Sequence, residues 1–117
     1  YFRENYLFNN LDYTLIDRDC NLCEGIDLIL LPGHTPAVLG MMLHLESGTV
    51  IFPSDAIGSR SNYGEHAKFP GIIYDSLGFK AAAAKVMDLE KKYNANIIHP
   101  HDMEQFKSLK QAPHFYD

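Results

Sequence analysis

The chain has 117 residues, 46% of them hydrophobic and 21% charged, with a formal net charge of −5. That balance excludes a disordered chain. The acidic total, without any Lys/Arg cluster, argues against nucleic acid as a partner, because neutralising phosphates requires a basic surface. The longest apolar runs, residues 26–31 and 50–52, are too short to cross a bilayer. The sequence therefore reads as a soluble, cytoplasmic protein with no membrane partner, one domain or part of a larger one, and with no secretory leader ahead of its first structured segment.

In chain order, residues 11–16 alternate apolar and polar and predict a strand, followed by a polar turn over 17–25. Residues 26–31 are almost wholly apolar and predict a strand buried on both faces. In residues 38–45, Leu39, Met41, Leu43 and Leu45 fall on one face of a further strand. A three-residue hairpin loop, Glu46-Ser47-Gly48, then leads into a partner strand over 49–52. Residues 57–75 are irregular and rich in Gly, Ser, Asn and Pro, and loops of that length in compact domains are commonly functional. The clearest helix follows. Phe79, Ala82, Ala83, Val86 and Met87 form one apolar stripe, with Asp75 or Ser76 as cap, Lys91 and Lys92 at the dipole's negative end and Asn94 as stop. A short strand over 95–99 and a short helix over 103–109 complete a mixed α/β unit with helices packed on a sheet.

Cys20 and Cys23 form a CxxC. No second CxxC or nearby His pair completes a four-ligand zinc site, so the two read as reduced thiols in a turn.

Three predicted strands end in residues able to bind a metal. Residues 26–31 run into Pro32-Gly33-His34-Thr35-Pro36, residues 49–52 into Pro53-Ser54-Asp55, and residues 95–99 into Pro100-His101-Asp102. Ligand sites in α/β sheets favour the carboxyl ends of strands, and two imidazoles with a carboxylate suit a zinc-like cation. Each residue has a structural alternative. His34 can be a loop histidine, Asp55 a turn cap and His101 a surface residue. Asp102 has capping-box spacing to Gln105 and is assigned to the helix first. His44, His66, His99 and His114 are not counted as ligands.

Together the three segments resemble motifs of metallo-β-lactamase-fold hydrolases. The Gly33-His34-Thr35-Pro36 run resembles the GHTP segment. The Gly48–Ala56 run is similar to the stretch ending in the bridging aspartate, and Asn96–Asp102 resembles the last histidine motif. Within that family the likeness is greatest to N-acyl homoserine lactonases, and it covers residues 11–109. The resemblance implies His34 on a first metal, Asp55 bridging two metals as the catalytic carboxylate, and His101 on a second. The implied cofactor is zinc, two ions in the intact domain, with iron or manganese as alternatives. The implied reaction is hydrolysis of an ester, lactone or thioester by a metal-bridged hydroxide.

The family's HxHxDH motif occurs nowhere in the chain. Residues 1–117 therefore read as the C-terminal part of one domain, half of an αββα sandwich, expected to be inactive alone. Where lactonases place a tyrosine beyond the aspartate this chain has Gly58, leaving Tyr63 or Tyr74 of the long loop as candidate substrate-binding residues. A half-sandwich leaves an apolar sheet face uncovered, which predicts a homo-oligomer or association with the absent half. A glyoxalase-II-like thioester hydrolase and a non-catalytic metal-binding or interaction module are the alternative readings.

Overall fold

The structure, a computed structural model, describes residues 12–117. Its elements run β1 (Cys20–Cys23), β2 (Ile26–Leu30), β3 (Leu39–Leu45), β4 (Gly48–Phe52), α1 (Ser76–Tyr93), β5 (Asn96–Ile97) and α2 (Met103–Ser108). The five strands form one sheet in the order β1-β2-β3-β4-β5, antiparallel except for the last pair. Because β2 and β4 each pair antiparallel with β3, and β5 pairs parallel with β4, the strands β2, β4 and β5 all run the same way. Their carboxyl ends, followed by His34, Asp55 and His101, therefore open on one edge of the sheet.

Helix α1 forms where the apolar stripe predicts it, and it buries Phe79, Ala82, Ala83 and Val86. The Asp75 carboxylate accepts from the Leu77 amide at 2.9 Å, and Asn94, left-handed at φ 48°, ends the helix. Its stripe packs on Ile29, Met42, Ile51 and Ile97, the side chains of one sheet face, to make the core. Full burial of each such side chain is worth about 1.5–3 kcal/mol.

The other face differs from the sequence expectation. The strand register aligns Ile26, Leu43 and Val50, then Leu28, Met41 and Phe52, with Leu30 opposite Leu39. No element of the described residues closes this face over Met41, which is 37% exposed; the leucines beside it are half-buried. On β3 it is Met42, 4% exposed, that enters the core, not the leucine stripe. Accordingly β2 is not buried on both faces: Ile29 is buried while its strand neighbours are half-exposed.

Other boundaries also shift. The predicted strand at 11–16 finds no regular structure over 12–16, and Leu11 lies outside the described residues. The predicted turn at 17–25 contains a strand, β1, whose register with β2 is broken by a bulge between Asn21 and Cys23. Cys20 and Cys23 thus lie on an edge strand, as free thiols. The β3–β4 loop has two residues, since Gly48 pairs with Leu45 while carrying φ 128°, a backbone that favours glycine. Strand β5 shortens to two residues, and α2 ends at Ser108. No helix among the described residues is long and apolar enough to cross a membrane.

Candidate functional site

The backbone positions each candidate side chain. After β2 the chain passes through Gly33 at φ 147°, where an added Cβ would lie 2.6 Å from the Phe79 backbone nitrogen. Only glycine lets the turn before His34 press against the start of α1 in this way. The Gly33 carbonyl also accepts from the Tyr74 and Asp75 amides, at 2.9 Å each, tying the His34 turn to the helix entrance. After β4, Ser54 takes the left-handed conformation at φ 52°, a strained backbone for a non-glycine residue directly before Asp55. After β5, the His101 amide donates to the Gly58 carbonyl at 2.8 Å, fixing the third segment against the loop that follows Asp55.

The result is a direct contact. His101 Nε2 donates to Asp55 Oδ1 at 2.7 Å, although the two residues are far apart in sequence. His34 lines the same cavity of about 440 Å³, together with Ser59, Ser61, Asn62 and Lys68. Its Nδ1 lies 3.2 Å from the Ile72 carbonyl. Donation from Nδ1 leaves the Nε2 lone pair available, the arrangement that outer hydrogen bonds impose on metal-binding histidines. The donor chemistry of two imidazoles and a carboxylate therefore suits a transition-metal cation. The geometry supplies less than a complete shell, because among the described residues no three His, Cys, Asp or Glu side chains gather closely enough to hold one.

The two candidate tyrosines have other surroundings. The Tyr63 hydroxyl donates to Glu90 Oε2 on α1 at 2.8 Å, and its ring packs 5.7 Å from that of His99. Burial, together with the Glu90 bond, raises the Tyr63 pKa well above the usual phenol range. Tyr74 is 75% exposed at the entrance to α1. Neither is among the residues that line the cavity with His34. Of the histidines set aside, His99 is buried with Nδ1 on the Ile57 carbonyl, and burial lowers its pKa. His44 pairs with Asp27 at 3.0 Å on the α1 side of the sheet.

Asp102 caps α2, accepting from the Gln105 amide at 2.9 Å. The return half of a capping box is absent: the Gln105 side chain instead accepts from the His99 amide and donates to the Ile97 carbonyl, clasping the end of β5. Sequence reasoning missed Arg60, which brackets Asp102 through its backbone amide and its guanidinium. Those bonds, with the Gln105 amide, hold the Asp102 carboxyl far below the usual carboxylate range. No local pattern marks this pair, since its members come from separate loops.

The sheet, its flanking helix and the site edge together have the architecture of about half of a metallo-β-lactamase-fold lactonase. No protein-family model matches the chain. It is similar to an N-acyl homoserine lactonase of Bacillus cereus, 29% identical over 119 residues, and to the N-acyl homoserine lactonase AiiB of Agrobacterium fabrum, 29% identical over 120 residues. Each match covers 97% of this chain but 47% and 44% of the relative, so the chain spans about half the length of the curated relatives it matches. Among solved structures, a Bacillus thuringiensis AiiA variant with N-decanoyl-L-homoserine at its active site superposes with a TM-score of 0.87 at 26% identity, over 100% of this chain and 46% of that one. A lactone hydrolase with N-hexanoyl-L-homoserine at its catalytic metal centre superposes equally well, with a TM-score of 0.87 at 26% identity, over 100% of this chain and 46% of that one.

Proposed function

We propose that this chain is the C-terminal part of a metal-dependent lactone hydrolase acting on N-acyl homoserine lactones, with His34, Asp55 and His101 as its share of the metal ligands. The observation that carries the reading is the Asp55–His101 contact at 2.7 Å, made at the shared carboxyl edge of two parallel strands in a chain that is similar to a lactonase over 97% of its length. The atoms that share a proton there are the ones a cation would take. His34, held through Nδ1, keeps Nε2 for the same purpose. Zinc is the first choice for this donor set, with iron or manganese as alternatives. When bound, such a metal supplies Lewis acidity and a hydrolytic nucleophile at neutral pH. Asn62 and Lys68 offer amide and ammonium groups to the acceptor oxygens of a lactone and its acyl amide.

The remaining donors come from outside these residues, so the 117-residue chain alone is inactive and its open sheet face is covered by the rest of the domain or by a second copy. The test is metal analysis and lactone ring opening on the full-length protein. The expected result is bound metal, turnover lost on chelation and restored by the ion, and a fall of about 100-fold or more in His101→Ala. Hydrolysis of S-acyl thioesters with lactones left intact would instead favour the glyoxalase-II-like reading. A full-length protein that binds no metal would leave an interaction module.

A further inference from the structure

Asp102 accepts more hydrogen bonds than a helix cap uses. Oδ1 takes the Gln105 amide at 2.9 Å and Arg60 Nη2 at 3.1 Å, while Oδ2 takes the Arg60 amide at 3.1 Å and Arg60 Nε at 2.8 Å. The Asp102 side chain is 10% exposed and that of Arg60 59%. Exposed ion pairs contribute little in general, the exception being a planar two-pronged arginine–carboxylate pair like this one. Arg60 lies in sequence between Ser59 and Ser61, both of which line the cavity. Ser59 donates to Asn62, Asn62 donates to the Lys68 carbonyl and the Lys68 amide to the Ser61 carbonyl, so residues 59–68 form one hydrogen-bonded flap.

We propose that the Arg60–Asp102 pair is a positioning clamp: it pins the polar wall of the cavity to the segment carrying His101, and so sets the distance between substrate-binding donors and the reacting centre. The inference rests on the reading of that cavity as the hydrolytic site. Asp102 acts through Arg60 and needs no contact with substrate.

Two variants of the full-length protein isolate the clamp from the cap. Asp102→Asn keeps a side-chain oxygen for the Gln105 amide, because asparagine caps helices as well as aspartate does. Arg60→Lys keeps the charge and loses the fork. By amide hydrogen exchange, both variants are expected to exchange about tenfold faster at Arg60, Asn62 and Tyr63, with Gln105 and Phe106 of α2 changed less than about twofold. With N-hexanoyl homoserine lactone, KM is expected to rise about tenfold and kcat to change less. Unchanged exchange in the flap, or equal loosening of flap and α2, overturns the clamp; so does faster exchange with KM and kcat both unaltered. Loss of all lactone turnover in the unsubstituted protein counts against the functional reading alone, and the exchange data then decide the clamp.

Discussion

The two faces of the sheet are built from alternate residues of the same strands, yet they end in different states. One is closed by α1 over Ile29, Met42 and Ile51, with Ile51 and Val86 fully buried. The other carries Leu28, Leu30, Leu39, Met41, Leu43 and Phe52, is at least as apolar, and is left half-open by the described residues. The site edge belongs to both, because His34 and Asp55 follow strands whose side chains feed both faces. Among the described residues, one face is thus closed by the helix and the other is left half-open.

That contrast can be broken in several ways, from large effects to small. Gly33→Ala would force a Cβ to within 2.6 Å of the α1 backbone and strain a φ of 147°; the expected loss is about 3 kcal/mol or more in urea unfolding, with α1 pushed from the sheet. A cost below about 1 kcal/mol would show that the helix is not held against this turn. Next, Ile51→Ala, a fully buried site, should cost about 2–5 kcal/mol. In the isolated chain Met41→Ala should cost under about 1 kcal/mol. Equal costs at the two positions would mean that the open face is already buried.

The open face should also drive self-association of the isolated chain, measured by light scattering and weakened by Leu43→Lys. A monodisperse monomer at working concentration would refute it. The smallest effect is on pH dependence. Burial lowers the His99 pKa, so the folded state binds its proton less readily than the unfolded chain does. The stability this contributes is present above the ordinary histidine range and is lost as the pH falls through it. Denaturation midpoints should therefore fall between about pH 7 and about pH 5, and more shallowly in His99→Phe. A slope unchanged by that substitution would assign the effect elsewhere.

The candidate site was legible in part because its residues sit in short runs next to strand ends: Gly33-His34, Ser54-Asp55 and Pro100-His101. Direction and spacing along the chain suffice to propose that they meet. The Tyr63 contact was not legible, because a tyrosine in a long loop carries no record of its partner, here Glu90 on the helix. Arg60 was missed for the same reason, its partner lying beyond α1 in sequence.

By itself the sequence determined the strand–hairpin–helix–strand order, the caps and stripe of α1, and the three residues that end strands on one edge. These depend on local periods, on capping chemistry and on glycine's freedom, all written in neighbouring residues. Only the tertiary structure decided which face of β3 enters the core. A strand's period of two distinguishes its faces but not their fates, and with Met42 on one side and leucines on the other, composition favours the wrong one. The register between strands and the direction from which α1 returns settle the matter, and both are set by contacts between residues far apart in the chain.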